Sequence, residues 1–190
     1  LGLWLEEFCR ENPDAKGVVL ESHGLFTWDD DAKACYELTL RITQRAMDWF
    51  EDRTAGIAAF GGARHASLPA TERAAVAARL MPAIRGFVSG NQHMVGHFDD
   101  SDTVLEFVNA ADMPALAALG TSCPDHFLRT KIRPLVVEFD PAKPDVDAVL
   151  DGLAAQVAAY RDDYAAYYDR CKHPGSPPLR DPNAVVYLVP

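Results

Sequence analysis

The sequence has no surplus of positive charge, which argues against a nucleic-acid partner. Its 190 residues carry 18 Lys and Arg against 28 Asp and Glu, a formal net charge of −10. Binding to a phosphate backbone depends on clustered Lys and Arg, and no basic run occurs along the chain. We therefore expect this chain to bind no nucleic acid.

Long apolar runs and a signal peptide are also missing. No segment approaches the roughly 20 apolar residues that span a membrane. The opening LGLWLEEFCREN has neither the basic lead nor the cleavage site of a secretory signal. That opening resembles the interior of a helix, and the closing AVVYLVP resembles a strand. We expect a piece of a longer protein, cut at both ends, with no membrane partner.

Paired cysteines and glycine-rich phosphate loops are absent as well. Cys9, Cys35, Cys123 and Cys171 are scattered without a CxxC pair, which favours reduced thiols in a cytoplasmic protein over a disulfide framework. Cys9, Cys35 and Cys171 fall in helical patterns, so we expect them to be small core residues. No GxxxGxG run occurs, so a dinucleotide site would have to lie beyond Pro190.

The segments that are present alternate between strand-like and helix-like patterns, which predicts an α/β fold with a layered sheet and flanking helices. Strands are predicted at 17–21, 25–28, 93–98, 135–139 and in the closing NAVVYLVP. Helices are predicted over 4–9, from Asp30 or Asp31, from Pro69, over 103–110, from Met113 and over 145–171. Pro82 is expected to kink or split the helix that begins near Pro69.

Apolar residues that recur every three to four positions predict the buried faces of three helices. In the helix after Asp31 they are Cys35, Leu38, Ile42, Ala46 and Trp49. In the helix after Pro69 they are Val76, Leu80, Ile84 and Phe87. In the last helix they are Val146, Val149, Leu153, Val157, Tyr160, Tyr164 and Tyr167. The tyrosines of this last stripe are expected to serve packing rather than catalysis.

The leading functional candidate is His23, which lies where an apolar strand meets a glycine. Residues 17–20 (GVVL) run directly into Glu21-Ser22-His23-Gly24, and a second apolar piece follows. The strand would fix the position of the histidine at the end of the sheet. The glycine would permit a turn, and the adjoining strand would exclude water. The pattern favours a metal ligand, and the alternative is a core or turn histidine bonded to backbone.

Two other patterns contain chemically active residues. His93 and His97 have the i, i+4 spacing of a helical zinc pair, but MVGHF is typical of a strand, which argues against a metal site. The run Cys-Pro-Asp-His at 123–126 offers Cys123 as a nucleophile and His126 as a base. Pro124 fixes an irregular loop, and Asp125 with His126 can equally start the next segment, so a structural or interface role is the alternative.

One local basic cluster occurs in this acidic chain. It consists of Arg129, Lys131 and Arg133. Guanidinium and ammonium groups bind phosphate and carboxylate, so a ligand or an interface at Arg129 and Lys131 is a further hypothesis.

The block GVVLESHGLFTW followed by DDDAKACYELTLRITQRAMDWFE resembles the class II aldolase/adducin family. The remainder, above all DDSDTVLEFVNAADMPALAALGTSCPDHFLRTKIRPLVVEFDP, resembles the extended subgroup related to rhamnulose-phosphate aldolase. In that subgroup a short-chain dehydrogenase region follows the aldolase-type region. The resemblance implies three parts: 1–55 as the C-terminal part of an aldolase/adducin-like region, 56–68 as a connector, and 69–190 as a family-specific α/β extension.

The resemblance also implies a zinc site. The family holds zinc with a His-x-His pair on an earlier segment and a third histidine that by position is His23. Ser22 stands where many members have asparagine, which leaves the ligand untouched. The His-x-His pair, the acid/base glutamate and the phosphate loops of the family do not occur in this chain, so its catalytic residues are unassigned.

The function implied is that of a cytoplasmic, homo-oligomeric, zinc-dependent lyase that cleaves a phosphorylated sugar. NAD(P) would be a cofactor only if a dehydrogenase region follows this chain. Two alternatives stay open: a non-catalytic adducin-like scaffold, and a polypeptide whose working activity is dehydrogenation outside this chain. An intact upstream His-x-His would favour the lyase, and a glycine-rich strand-turn-helix after Pro190 would favour the dehydrogenase.

Overall fold

The computed structural model describes residues 1–90 and 92–190, which form two compact units, Leu1–Ile57 and Ala58–Pro190. Helices make up most of each unit, and the sheets formed by the described residues have two strands each. The mixed α and β character is as expected, whereas the layered sheet stays a prediction. The three-part division of the sequence also stays a prediction.

The first unit is a β-hairpin between two helices. Its elements are α1 (Gly2–Glu11), β1 (Gly17–Leu20), β2 (Gly24–Thr27) and α2 (Ala32–Thr54). The strands pair antiparallel, with Leu20 opposite Gly24. Asp31 caps α2, because its side chain accepts a hydrogen bond of 3.2 Å from the backbone N–H of Lys33. These elements match the predicted strands and the predicted helix start.

Helix α2 packs on β2 through its first turns. Cys35 and Thr39 contact Thr27 of β2, and the two threonine hydroxyls are 2.6 Å apart. Ala46 and Trp49 are exposed, Trp49 by 51%, so the second half of the predicted buried stripe is wrong. The reason is that β2 is only four residues long and contacts only the start of a helix of 23 residues.

The second unit contains five helices and a short parallel sheet among its described residues. In chain order these are α3 (Ala70–Val88), α4 (Asp102–Val108), α5 (Met113–Leu119), α6 (Pro124–Thr130), β3 (Leu135–Val136), α7 (Val146–Cys171) and β4 (Tyr187–Leu188). A short 3-10 helix, Ala59–Gly61, precedes them. Strands β3 and β4 pair parallel, with Leu135 opposite Tyr187. Helix α7 provides the crossover that parallel pairing requires.

The core of the second unit lies where α3 and the β3 segment meet α7. Leu153, Val157 and Val137 are the most completely buried side chains, at 0–1% exposed. Other buried members are Leu80, Leu135, Phe139, Val149, Tyr160 and Ala184. The predicted stripes of α3 and α7 are confirmed except at Tyr167, since their other residues form or pack against this cluster, whereas Tyr167 contacts Phe127 of α6. A smaller cluster is formed by Ala110, Met113 and Ala117.

One prediction for this unit is wrong and two are partly met. Helix α3 continues through Pro82 and is not split there, and Leu80 and Ile84 on either side of the proline pack into the core; the kink stays a prediction. Residues 93–98 form no regular strand, since Arg85 of α3 and Ser89, which follows the helix, bind the backbone of Met94. The strand predicted over 135–139 shortens to Leu135–Val136.

No helix in the described part of the chain is both long enough and apolar enough to cross a membrane.

Candidate metal ligand and surrounding sites

His23 lies at the end of the three-residue turn that joins β1 to β2. Its backbone N–H donates a hydrogen bond of 3.1 Å to the carbonyl of Leu20. Two residues of this segment have positive φ, Ser22 at 57° and Gly24 at 134°. A side chain at Gly24 would meet nothing within 4 Å, so the glycine is required by its backbone conformation and not by lack of space.

The imidazole of His23 is exposed and oriented by an aromatic neighbour. It stacks on Phe26 of β2, with the ring centroids 5.7 Å apart and the planes 16° from parallel. His23 is exposed, so the prediction that the adjoining strand, β2, excludes water from the histidine is wrong. The antiparallel hairpin by itself leaves this end of the sheet open to solvent.

The described residues supply only one ligand at this turn. They contain no group of three or more His, Cys, Asp and Glu side chains close enough to hold a metal ion. Structural and catalytic zinc sites use three or four protein ligands. His23 therefore fits zinc only as one of several ligands.

The Cys-Pro-Asp-His run begins helix α6. Cys123 is the N-terminal capping residue, with its carbonyl accepting a hydrogen bond of 3.3 Å from Phe127 N–H. Asp125 and His126 are exposed in the first turn, where a carboxylate suits the positive end of the helix. Hydrogen bonds among the described residues include none that joins the Cys123 thiol to the His126 ring. This arrangement supports the structural interpretation of the run, and its functional role stays untested.

Lys131 is directed into the protein, unlike the exposed Arg129 beside it. Its side chain is only 13% exposed, and its ammonium lies 3.4 Å from the Asp181 carboxylate. The ammonium donates to the backbone carbonyls of Asp181, at 2.6 Å, and Asn183, and lies 4.8 Å from the Tyr164 ring centroid. Burial lowers the pKa of Lys131, while the neighbouring Asp181 acts in the opposite direction.

Two arginines extend this internal network. Arg161 of α7 donates to Asn183 Oδ1 and to the carbonyl of Phe87, each at 2.7 Å. Arg133 pairs with Asp163 at 2.7 Å. Of the predicted basic cluster, Lys131 and Arg133 thus bind groups of the protein itself. An external phosphate or carboxylate there stays a prediction, with Arg129 as its exposed member.

The thiols are free, but two of them lie outside any core. Cys35 and Cys123 are half-buried, whereas Cys9 and Cys171 are exposed. The expectation that Cys9 and Cys171 are core residues is therefore wrong. Both lie near the C-terminal ends of their helices, where the helix has fewer neighbours to pack against.

The sequence motifs did not identify one surface depression at the end of α3. It is open to solvent and is lined by Pro82, Arg85, Gly86, Ser89 and His93. Pro82 and Gly86, four positions apart in the helix, are the signal that the sequence contained.

Comparison with known proteins shows the family to which the chain is similar. The model described as "Aldolase class II, second domain" matches residues 75–190. A protein of Bacillus subtilis (strain 168), named "Uncharacterized oxidoreductase YuxG", is 38% identical over 175 residues, which are 92% of this chain and 25% of that protein. The chain thus spans about a quarter of the length of this relative. No solved structure matches the chain.

Proposed function

Because this chain belongs to the class II aldolase second-domain family, we propose that it is part of a zinc-dependent aldolase-type lyase that cleaves a phosphorylated sugar. The observation that carries the proposal is the family match over residues 75–190. The relative of Bacillus subtilis is named an oxidoreductase and is about four times as long as the matched segment. This supports a further proposal, that an NAD(P)-dependent dehydrogenase region belongs to the same polypeptide.

Within this lyase, His23 is one ligand of the metal. Its backbone is fixed by the bond to Leu20, and its ring is oriented by Phe26. The exposed ring leaves a nitrogen lone pair accessible to a metal whose other ligands come from outside the described residues. Zinc, when bound, supplies a positive charge that stabilises the oxyanion formed as the carbon–carbon bond breaks.

The imidazole must be neutral to bind a metal, because the proton and the zinc ion compete for the same lone pair. We therefore expect zinc retention by the intact protein to weaken as the pH falls. The family's assemblies make a homo-oligomer the expected state, and a cytoplasmic location is proposed with it.

Metal analysis of the intact polypeptide tests the role of His23. Wild-type protein should hold zinc, His23→Ala should lose it, and His173→Ala should keep it. His173 is also an exposed histidine and lies in the second unit, so it controls for non-specific binding to surface imidazoles. Equal zinc in all three proteins would show that His23 is not a ligand. No zinc in the wild type would favour the non-catalytic scaffold.

A second candidate function rests on the name of the relative, an oxidoreductase. In that case the working activity is dehydrogenation by a region outside this chain, and the described units are structural. NAD(P) reduction that persists without any cleavage of phosphorylated sugars would favour this candidate.

A further inference from the structure

The segment between Gly120 and Ile132 leaves the body of the second unit and returns to the same point. A Cβ built at Gly120 would overlap the carbonyl oxygen of Ile132, so the two ends of the segment are in contact. Helix α6, Pro124–Thr130, lies between them. Segments of roughly 6–16 residues that close on themselves in this way are Ω-loops, which are frequently functional. We call residues 121–130 the flap.

The flap contributes little to the core of the unit. No described side chain of α6 belongs to either buried core cluster. The exposed side chains of the helix include Asp125, His126, Leu128 and Arg129, and that of Leu128 is 79% exposed. A helix of seven residues is unstable in water without tertiary contacts. The helix therefore persists only while the flap is held against the unit, and a flap that lifts away loses its helical hydrogen bonds.

An aromatic contact holds the middle of the flap against α7. The Phe127 ring meets the Tyr167 ring edge to face, with the centroids 6.0 Å apart and the planes at 69°. Both residues are half-buried. Aromatic pairs in this geometry stabilise more than their buried area alone would suggest. The contact therefore favours the closed position of the flap, and its loss would expose the ring of Tyr167 further.

The two ends of the flap have unusual backbone conformations and are fixed to the unit. Gly120 has φ of 80° and ψ of −146°, and Lys131 has φ of 60° and ψ of −167°. Glycine adopts such a conformation freely, whereas a residue with a Cβ is strained there and keeps it only where its surroundings impose it. At Lys131 the ammonium is held by the carbonyls of Asp181 and Asn183. The closed flap therefore keeps Lys131 strained, and opening lets its backbone relax.

We propose that the flap opens as one unit about Gly120 and Lys131 and uncovers the tyrosine face of α7. Closed, it places Phe127 against Tyr167. Open, it leaves the ring of Tyr167 accessible beside that of Tyr164, whose centroid is 5.9 Å away. The contact of Phe127 favours closure and the strain at Lys131 favours opening. The balance between these two sets the fraction of open flap.

Hydrogen exchange of the intact polypeptide, followed by mass spectrometry, tests the opening. The amides of 127–131 should exchange at least about tenfold faster than those around Leu153 and Val157 in α7. Low concentrations of urea should accelerate exchange in α7 and leave that of the flap nearly unchanged, because opening exposes little surface. Phe127→Ala should accelerate flap exchange about tenfold. Leu128→Ala is the matched control, since it changes the neighbouring exposed residue, and it should leave flap exchange unchanged.

Two variants at one position isolate the strain. Lys131→Gly and Lys131→Ala both lack the ammonium and differ only in the Cβ, so flap exchange should be about threefold slower in the glycine variant. Acetylation of Tyr167 by N-acetylimidazole should be slower in that variant by a similar factor.

Each contrary outcome overturns a part of the proposal. Equal flap exchange in the two variants at Lys131 would overturn the hinge at that residue. Flap amides with the urea dependence of α7 would overturn the separate opening, and equal acetylation of Tyr167 would overturn its cover by the flap. These measurements need neither zinc nor substrate, so failure of the lyase proposal leaves them unaffected.

Discussion

Lys131 gives the sharpest test of the internal network in the second unit. Lys131→Met keeps the aliphatic stem and removes the ammonium, together with its bonds to the carbonyls of Asp181 and Asn183. It also removes the ion pair with the Asp181 carboxylate at 3.4 Å and the contact with the Tyr164 ring. The segment 181–183 then loses its link to the end of α6.

The expected cost follows from what is left unpaired. Each of the two carbonyls that loses its donor costs about 1 kcal/mol at the lower limit for a buried group. The Asp181 side chain is 41% exposed and can regain water, so its ion pair contributes at most about 1 kcal/mol. We expect Lys131→Met to reduce the free energy of unfolding by about 3 kcal/mol.

Urea denaturation followed by circular dichroism measures this loss. Lys172→Met is the matched control, because Lys172 pairs with Asp169 at 2.7 Å but both side chains are more than half exposed. The control should leave the midpoint unchanged within error, since exposed pairs contribute little. If Lys131→Met behaved like the control, the reasoning from buried contacts would be refuted.

Two further predictions concern the same unit. Burial raises the pKa of Tyr160 from 10.0 to about 12. Its neutral form therefore stabilises the fold below pH 10, and this contribution is lost as the pH rises towards 12. In urea titrations the free energy of unfolding should fall less between pH 10 and 12 in Tyr160→Phe than in the wild type. Gly120 has φ of 80° and a Cβ there would clash with the Ile132 carbonyl, so Gly120→Ala should lower the melting temperature, whereas Gly86→Ala, in open space, should not.

Local signals predicted the elements that depend on neighbouring residues. The cap at Asp31, the turn at Gly24 and the stripe of α7 all follow from short-range patterns, and the structure contains each of them. The prediction for 93–98 failed because Arg85 and Ser89 bind the backbone of Met94. Such a contact between a helix and the loop after it produces no periodic pattern in the sequence.

The partners of the candidate site residues were harder to predict, because they too depend on contacts between residues far apart in the sequence. Clustered charges indicate attraction to an anion, but they do not show whether that anion belongs to the protein. Lys131 binds Asp181, 50 residues later, and Arg133 binds Asp163. For His23 the turn was predictable, whereas its exposure depends on what packs against the hairpin.

The most direct test of the proposed lyase is an assay of carbon–carbon cleavage by the intact polypeptide in the absence of nicotinamide cofactor. A phosphorylated ketose should yield an aldehyde, and this activity should disappear on zinc removal and in His23→Ala. Reduction of NAD(P) by the same variant should persist. Cleavage at the wild-type rate by His23→Ala, or none by the wild type, would contradict the assignment of this chain to a zinc lyase.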